Sequence, residues 1–339
     1  MKRRLELDVC RIAACFLVVL SHISAEMFHI YPMDDRLFPA VTFLSTMPRG
    51  SVPVFFMISG ALFLVRDQLE PWRFLKKNVL HLVELFFVWS LLYALGTRLA
   101  AGDFGSTYYF FYDVAAGHYH MWFIPAMTVC YLFLPVLHSA LHGGGIDGRY
   151  PLFLFALIGL LLANCNLTPL PAPILHRLTQ NLSLTDLNYL GYMLWGWWLS
   201  RRDYSKHWLW IGLGGYLLAT VLGTAGNVWY SHFGWEADGW LFSFFSVPTF
   251  LQATFLFMAF LGLREHEFRQ EGLICTLSDC TLGVYLLHPM VKSVFEKFGI
   301  AASTAHPVLT LLGLALLLTA VSFGITAIAK KIPLIKRFV

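Results

Sequence analysis

Arginine and histidine share one face of the first apolar stretch of the sequence. Arg11 and His22 are eleven residues apart, which on a helix is about 1100° of rotation and leaves them within about 20° of each other. Their separation along the axis is about 16 Å. The same face continues to Glu26 and His29. Such a helix presents a cation that can bind an anionic group and, deeper in, an imidazole that can take up a proton near neutral pH.

These residues also have structural interpretations that the spacing leaves open. Arg11 could extend to lipid headgroups, because long cationic side chains reach back to the interface. His22 could be a neutral core histidine that is hydrogen-bonded to a neighbouring helix. Glu26 and His29 lie near the outer end of the stretch, where solvation explains them equally well. Between Arg11 and His22 the face consists of the small side chains of Cys15, Val18 and Val19.

The second apolar stretch contains the run Arg49-Gly-Ser-Val-Pro-Val-Phe-Phe-Met-Ile-Ser59-Gly60. Arg49 is either an outer-surface arginine or a cation that points into the helix bundle. Ser59 and Gly60 are small enough to be a plain helix-packing contact. Arg49 and Ser59 are therefore candidate pocket residues, and the packing interpretation stays open for Ser59.

Histidines occur in two later stretches as well. The fourth stretch begins His118-Tyr-His120-Met-Trp122, which fits either a pocket or an interfacial aromatic belt. The ninth contains Tyr285-Leu-Leu-His288-Pro289. Pro289 has no backbone N–H, so it frees a carbonyl close to His288. An intramembrane imidazole beside a helix break suits a ligand contact.

The composition indicates what must position these side chains. Of 339 residues, 58% are hydrophobic and 13% charged, about half the charged fraction of a soluble domain. This excludes an ordinary soluble enzyme and also a disordered chain. The net charge of +4 is too small to indicate a nucleic-acid partner. The six cysteines form neither a disulfide framework nor a metal-ligand spacing, so no metal is expected.

Ten apolar stretches are predicted to cross a lipid bilayer, which requires about 20 residues each. They cover approximately residues 8–30, 40–65, 77–99, 120–141, 150–165, 186–200, 207–228, 241–262, 273–296 and 304–329. The fold class is therefore an all-α polytopic membrane bundle, with residues 1–339 as a single transmembrane domain. With the amino terminus inside, 18 of the 24 lysines and arginines lie on the cytoplasmic side. This bias predicts that both termini are cytoplasmic.

These blocks together resemble the membrane acyltransferase 3 family. Asp8 to His22 resembles its first-helix R-x10-H signature, and Pro53 to Gly60 its second-helix FF-x-x-SG motif. His120-Met-Trp-Phe123 and Tyr285-Leu-Leu-His-Pro289 are similar to two further blocks in the right order. Within the family the chain is most like the short proteins related to the enterobacterial common antigen O-acetyltransferase.

The resemblance implies transfer of an acyl group, usually acetyl from cytoplasmic acetyl-CoA, to a hydroxyl of an envelope glycan or its lipid-linked precursor. A multi-pass protein of the bacterial inner membrane is implied, and homo-oligomerisation is left open. We expect His22, Arg11 and Glu26 to carry the chemistry. The acetyl-CoA site is expected at Arg11, Arg66, Arg73, Lys76 and Lys77. The acceptor or pocket residues are expected to be Arg49, Ser59, His120, Trp122, Tyr285 and His288.

Two points stay open at this stage. Many family members carry R-x-x-R in the first cytoplasmic loop, where this chain has Arg73-Phe-Leu-Lys76-Lys77. The positive charge is kept, but lysine does not grip a phosphate with two parallel hydrogen bonds. The rival function is transport of protons or a lipid-linked sugar without chemistry, although no internal repeat supports it.

Overall fold

The computed structural model describes residues 3–102, 105–143, 145–147, 150, 184–232 and 242–339. This part of the chain is helical and contains no strand. The α-helices are α1 (Leu5–Ile30), α2 (Phe38–Thr46), α3 (Ser51–Phe63), α4 (Pro71–Phe74), α5 (Leu80–Ala101), α6 (Thr107–Ala116), α7 (Phe123–His142), α8 (Tyr189–Ser200), α9 (His207–His232), α10 (Val247–Leu261), α11 (Glu271–Lys297) and α12 (Pro307–Ala329). Short 3-10 turns cover Met47–Gly50, Tyr119–Trp122 and Leu184–Asn188, and a π turn covers Leu75–Val79.

Seven helical segments of the described part are long and apolar enough to cross a membrane. They are Leu5–Ile30, Phe38–Phe63, Pro71–Ala101, Tyr119–His142, His207–Ser231, Glu271–Lys297 and Pro307–Ala329. The predicted spans at 186–200 and 241–262 correspond to α8, with 12 residues, and α10, with 15, which are shorter than one bilayer crossing. The predicted span at 150–165 lies outside the described residues, apart from its first residue.

The helices form two compact units, residues 1–58 with 198–339 and residues 59–197. In the first unit α1 packs against α2, α11 and α12. Its core contains Cys15 and Val19 of α1, Val284 of α11 and Leu318 of α12. The small-residue face of α1 that lies between Arg11 and His22 is therefore a helix contact.

The second span is interrupted by the 3-10 turn at Met47–Gly50. Pro48 and Pro53 each lack the N–H that would bond the carbonyl four residues earlier, so a regular α-helix cannot run through this stretch. Side chains from the neighbouring α9 and α10, Tyr216 and Gln252, bond carbonyls of the interrupted segment. These bonds add to those of the 3-10 turn itself and tie the turn to the two neighbouring helices.

In the second unit Gly60 provides a close helix contact. A Cβ at this position would run into the backbone of Met193 in α8. Next to it, the hydroxyl of Ser59 lies 3.1 Å from the hydroxyl of Tyr131 in α7. The small-residue packing interpretation of Ser59-Gly60 is therefore confirmed at Gly60, while Ser59 also makes a specific polar contact.

Candidate functional site

A pair of imidazoles joins α1 to α11 in the interior of the first unit. The rings of His22 and His288 are 5.0 Å apart between centroids and tilted by 34°. His288 is 1% exposed. The two residues belong to different spans, 266 positions apart in the chain, and only the packing of α1 on α11 brings them together. The sequence placed both inside the membrane but did not pair them.

The helix break predicted at Pro289 is not seen, because α11 runs through this residue from Glu271 to Lys297. The carbonyl that Pro289 leaves without an N–H partner fixes the tautomer of His288. Pro289 cannot donate to the carbonyl of Tyr285, which lies four residues earlier. The Nδ1 atom of His288 lies 2.8 Å from this carbonyl and 3.2 Å from that of Val284. A carbonyl only accepts, so Nδ1–H donates and Nε2 of the neutral ring carries the lone pair. The predicted freed carbonyl thus orients the imidazole.

Ionic groups tie the amino-terminal end of α1 to α11. The guanidinium of Arg11 lies 3.3 Å from the hydroxyl of Ser278 and 3.8 Å from the carboxylate of Asp8. Ser278 in turn donates to Asp8 at 2.6 Å. Arg3 pairs with Asp8 at 2.6 Å and with Asp279 at 2.7 Å, and its hydrogen bonds to these carboxylates, Asp8 foremost, raise its pKa. Arg11 therefore belongs to a fixed cluster and does more than reach for headgroups.

One turn beyond the imidazole pair, a salt bridge joins the same two helices. Lys292 Nζ lies 2.8 Å from the carboxylate of Glu26 and 2.5 Å from that of Glu296. Glu26 is 54% exposed, whereas Lys292 is 12% exposed. We expected Glu26 to act on His22, and the structure gives its carboxylate a partner on α11. The charge count assigned Lys292 only to the non-cytoplasmic side of the membrane, and the structure shows in addition that its side chain is largely buried against Glu26.

Arg49 lies in the 3-10 turn in the middle of the second span. Its Nε donates to the carbonyl of Ser45 at 3.3 Å, and its guanidinium lies 4.3 Å from the centre of the Phe242 ring. A guanidinium held in this way inside a span is costly and commonly functional. The structure thus favours the bundle-interior interpretation over an outer-surface arginine.

A second group of rings occupies the second unit. His118 stacks on Tyr93 with a centroid distance of 4.2 Å, and its Nδ1 is 2.8 Å from Nδ1 of His120. His120 is completely buried. Trp122 is 36% exposed and lies beside Tyr189. His120 therefore fits a buried polar contact better than an interfacial belt, whereas Trp122 remains compatible with either.

The basic residues between the second and third candidate spans lie around α4 and the π turn. Arg73, Lys76 and Lys77 line an open cavity of about 380 Å³ together with Glu70 and Trp72. The Glu70 carboxylate accepts hydrogen bonds from the backbone N–H groups of Trp72 and Arg73, which caps α4 and fixes the loop. Arg66 is placed differently, with its guanidinium over the ring of Phe63 at 4.7 Å.

Comparison with known proteins decides the family. The sequence model of a family described as an acyltransferase domain matches residues 4–328. The chain belongs to this acyltransferase family. No match was found among the curated proteins or among the solved structures. The family match covers both units and all seven candidate spans except the last residue of the seventh.

The acyltransferase brings some predicted residues together and leaves others apart. Arg11, His22 and Glu26 lie along α1, each facing a partner on α11, and Tyr285 lies 6.4 Å from His288 between ring centroids. Ser59, His120, Trp122 and the loop Arg66–Lys77 belong to the other unit. Across the described residues, no group of three or more His, Cys, Asp or Glu side chains could hold a metal ion.

Three residues of this arrangement were not predicted, namely Asp8, Ser278 and Lys292. Asp8 was visible as a charge at the start of the first span, and Ser278 as a hydroxyl in the ninth. Asp8 is the i,i+3 neighbour of Arg11 on α1, a pairing that helical periodicity could have indicated. Only the register between α1 and α11 makes Ser278 a partner of Arg11 and Lys292 a partner of Glu26. Helical periodicity within one segment carries no information on the register between two segments.

Proposed function

We propose that this acyltransferase is an O-acetyltransferase that moves acetyl from cytoplasmic acetyl-CoA to a hydroxyl of an envelope glycan or its lipid-linked precursor. The observation that carries the proposal is the His22–His288 pair in the α1–α11 contact. We place the protein in the bacterial inner membrane, nearest to the proteins related to the enterobacterial common antigen O-acetyltransferase. The transporter alternative is not favoured, because the family is one of acyltransferases.

The acyl donor, acetyl-CoA, carries anionic phosphates at one end and the reactive thioester at the other. Its phosphates suit the basic cytoplasmic residues, with Arg73, Lys76 and Lys77 around an open cavity and Arg66 next in line. Arg11, which is held by Asp8 and Ser278, marks the cytoplasmic end of α1. His22 lies about 16 Å further along this helix, and because the face between the two residues is packed against neighbouring helices, the pantetheine arm has to reach His22 by a route other than this face.

His22 acts as the general base in this proposal. Its imidazole takes the proton of the acceptor hydroxyl while the hydroxyl oxygen attacks the thioester carbonyl carbon. The C–S bond then breaks, the electron pair leaves with sulfur, and the imidazolium returns the proton to the thiolate. The alternative course acylates His22 first and passes the acetyl group on to the hydroxyl. Both courses consume one acetyl-CoA and release one CoA thiol.

The neighbouring residues support this proton transfer. His288, whose Nδ1–H is bonded to Tyr285, presents the other edge of its ring within the imidazole pair. Arg49 supplies positive charge for the oxyanion of the tetrahedral intermediate. Glu26, fixed by Lys292, lies one turn beyond His22 on the same helix. Ser59, His120 and Trp122 belong to the second unit and are kept as proposed acceptor-binding residues.

Label transfer from radiolabelled acetyl-CoA tests the proposal. Purified protein in lipid nanodiscs is incubated with the labelled donor and with envelope glycan fractions, and alkali-labile label in the glycan is counted. An O-acetyltransferase is expected to transfer label that mild alkali removes, since esters are cleaved under these conditions. Label that stays in acetyl-CoA with every glycan and lipid-linked fraction would refute the proposed function.

A further inference from the structure

The interrupted second span is held by side chains of α9 and α10. The Nε2 atom of Gln252 donates to the carbonyl of Thr46 at 3.1 Å and to the hydroxyl of Thr220 at 3.0 Å. The hydroxyl of Tyr216 donates to the carbonyl of Met47 at 2.7 Å. Asn227 donates to the Thr46 side chain at 3.3 Å. The two carbonyls belong to the third and second residues before Arg49 in the chain, so these bonds fix the backbone segment that leads into it.

Close backbone packing against α10 also restricts the turn at Met47–Gly50. A Cβ added to Gly50, the residue after Arg49, would come within 2.9 Å of Gln252 and Ala253. Gln252 is completely buried and Thr46 is 3% exposed. The turn therefore lies against α10 without an intervening side chain, and it cannot shift toward α10 without a steric clash.

The other side of the interrupted span is tied to α1. Ser45 donates from its hydroxyl to the carbonyl of Ser24 at 2.9 Å, two residues beyond His22. The carbonyl of the same Ser45 accepts the Nε–H of Arg49. The guanidinium is thus connected to the α1 backbone beside His22 on one side and to α9 and α10 on the other.

We propose that Gln252 and Tyr216 are positioning residues that hold the turn at Met47–Gly50 so that Arg49 meets the oxyanion formed during transfer. The inference rests on the proposed function. Without the Gln252 amide, the Thr46 carbonyl keeps only the backbone bond of the 3-10 turn, the turn loses its tie to α10, and the segment that bears Arg49 relaxes. A displacement of about 1 Å is enough to weaken a transition-state contact by about 10²-fold.

Steady-state kinetics with a double-mutant cycle test the inference. The variants are Gln252→Met, which keeps the side-chain length, Tyr216→Phe, Arg49→Ala, and Gln252→Met combined with Arg49→Ala. Thr224→Val is the control, because its hydroxyl bonds the Thr220 carbonyl within its own helix. Thermal melting of each variant reports whether it folds.

Gln252→Met is expected to lower kcat about tenfold and Tyr216→Phe severalfold, with KM for acetyl-CoA within about twofold of wild type. Arg49→Ala is expected to lower kcat by about 10²-fold or more, and adding Gln252→Met to it should change nothing further. A merely structural Gln252 would lower kcat by the same factor in both backgrounds, which would overturn the inference. If Gln252→Met does not fold, Tyr216→Phe carries the same cycle.

Failure of the proposed function has a different signature. If the wild-type protein transfers no acetyl group, both the proposed function and the inference are refuted. Transfer by wild type, together with full kcat in Arg49→Ala or in both Gln252→Met and Tyr216→Phe, would leave the function standing and overturn the inference alone.

Discussion

The imidazoles of His22 and His288 lie 5.0 Å apart between ring centroids, and they join the first span to the second-to-last candidate span of the described chain. Two further contacts between α1 and α11 flank this pair, Arg11 with Ser278 toward the start of α1 and Glu26 with Lys292 toward its end. The three contacts fix the register of the two helices. The chemistry that we propose depends on this register.

The Glu26–Lys292 pair is expected to contribute modestly. Because Glu26 is 54% exposed, a double-mutant cycle of Glu26→Gln and Lys292→Met on the free energy of unfolding should give a coupling of about 0.2–1 kcal/mol. Glu26→Gln should lower kcat by less than about tenfold. A loss from Glu26→Gln as large as that from His22→Ala would instead make the carboxylate indispensable to proton transfer.

The basic loop is expected to bind the donor. Changing Arg73, Lys76 and Lys77 together to glutamine should raise KM for acetyl-CoA more than it lowers kcat, because phosphate contacts are made equally in ground and transition states. The matched control is Lys331→Gln with Lys336→Gln, which neutralises exposed lysines of the carboxyl-terminal tail. An unchanged KM in the loop variant would move donor recognition elsewhere, with Arg66 as the next residue to test.

His118 should make the second unit sensitive to acid. Burial lowers the pKa of His118 below its ordinary 6.5, so the unfolded chain takes up this proton at a higher pH than the folded chain. The stabilisation is complete above pH 6.5 and is lost as the pH falls toward the lowered pKa. The melting temperature is therefore expected to be lower at pH 5 than at pH 7.

His118→Phe keeps a ring against Tyr93 and should flatten this pH dependence. The control is His306→Phe, at an exposed histidine before α12, which should retain the wild-type slope. Equal slopes in wild type and His118→Phe would show that the buried histidine does not contribute to acid sensitivity.

Both chain ends are expected on the cytoplasmic side, because 18 of 24 basic residues lie there under this topology. A reporter fused after Val339 should be active only if it is a cytoplasmic reporter. A reporter inserted at Asp35, between α1 and α2, should show the opposite behaviour and serves as the control. Periplasmic activity of the carboxyl-terminal fusion would require an odd number of crossings.

The sequence predicts the spans well where apolar runs are long. Periodicity places Arg11 and His22 on one face, and Pro289 predicts the freed carbonyl that His288 bonds. The span at 241–262 was predicted to begin too early, since α10 begins at Val247 and hydropathy does not show where a helix starts. The span at 186–200 is covered by the turn Leu184–Asn188 and α8. The pairings of His22 with His288 and of His118 with His120 depend on tertiary packing or on side-chain rotamers, neither of which periodicity defines.

The interruption at Met47–Gly50 also shows that a local sequence pattern does not reveal tertiary contacts. Pro48 and Pro53 are visible in the sequence and forbid regular hydrogen bonding. Which side chains take up the carbonyls depends on how α9 and α10 pack. Gln252 and Tyr216 are separated from the turn by more than 160 residues, so no local pattern indicates their role.

The most direct test of the central claim is acetyl transfer by His22→Ala, measured together with acetyl-CoA binding on the same purified protein. We expect the variant to fold, to bind acetyl-CoA with nearly wild-type affinity, because the phosphates are held near the cytoplasmic face, and to lose transfer by about 10²- to 10⁴-fold. Arg11→Ala is the counterpart and should weaken donor binding instead. Near-normal turnover in His22→Ala, with abolished turnover in His288→Ala or His120→Ala, would contradict the account and move the chemistry to α11 or to the start of the fourth span.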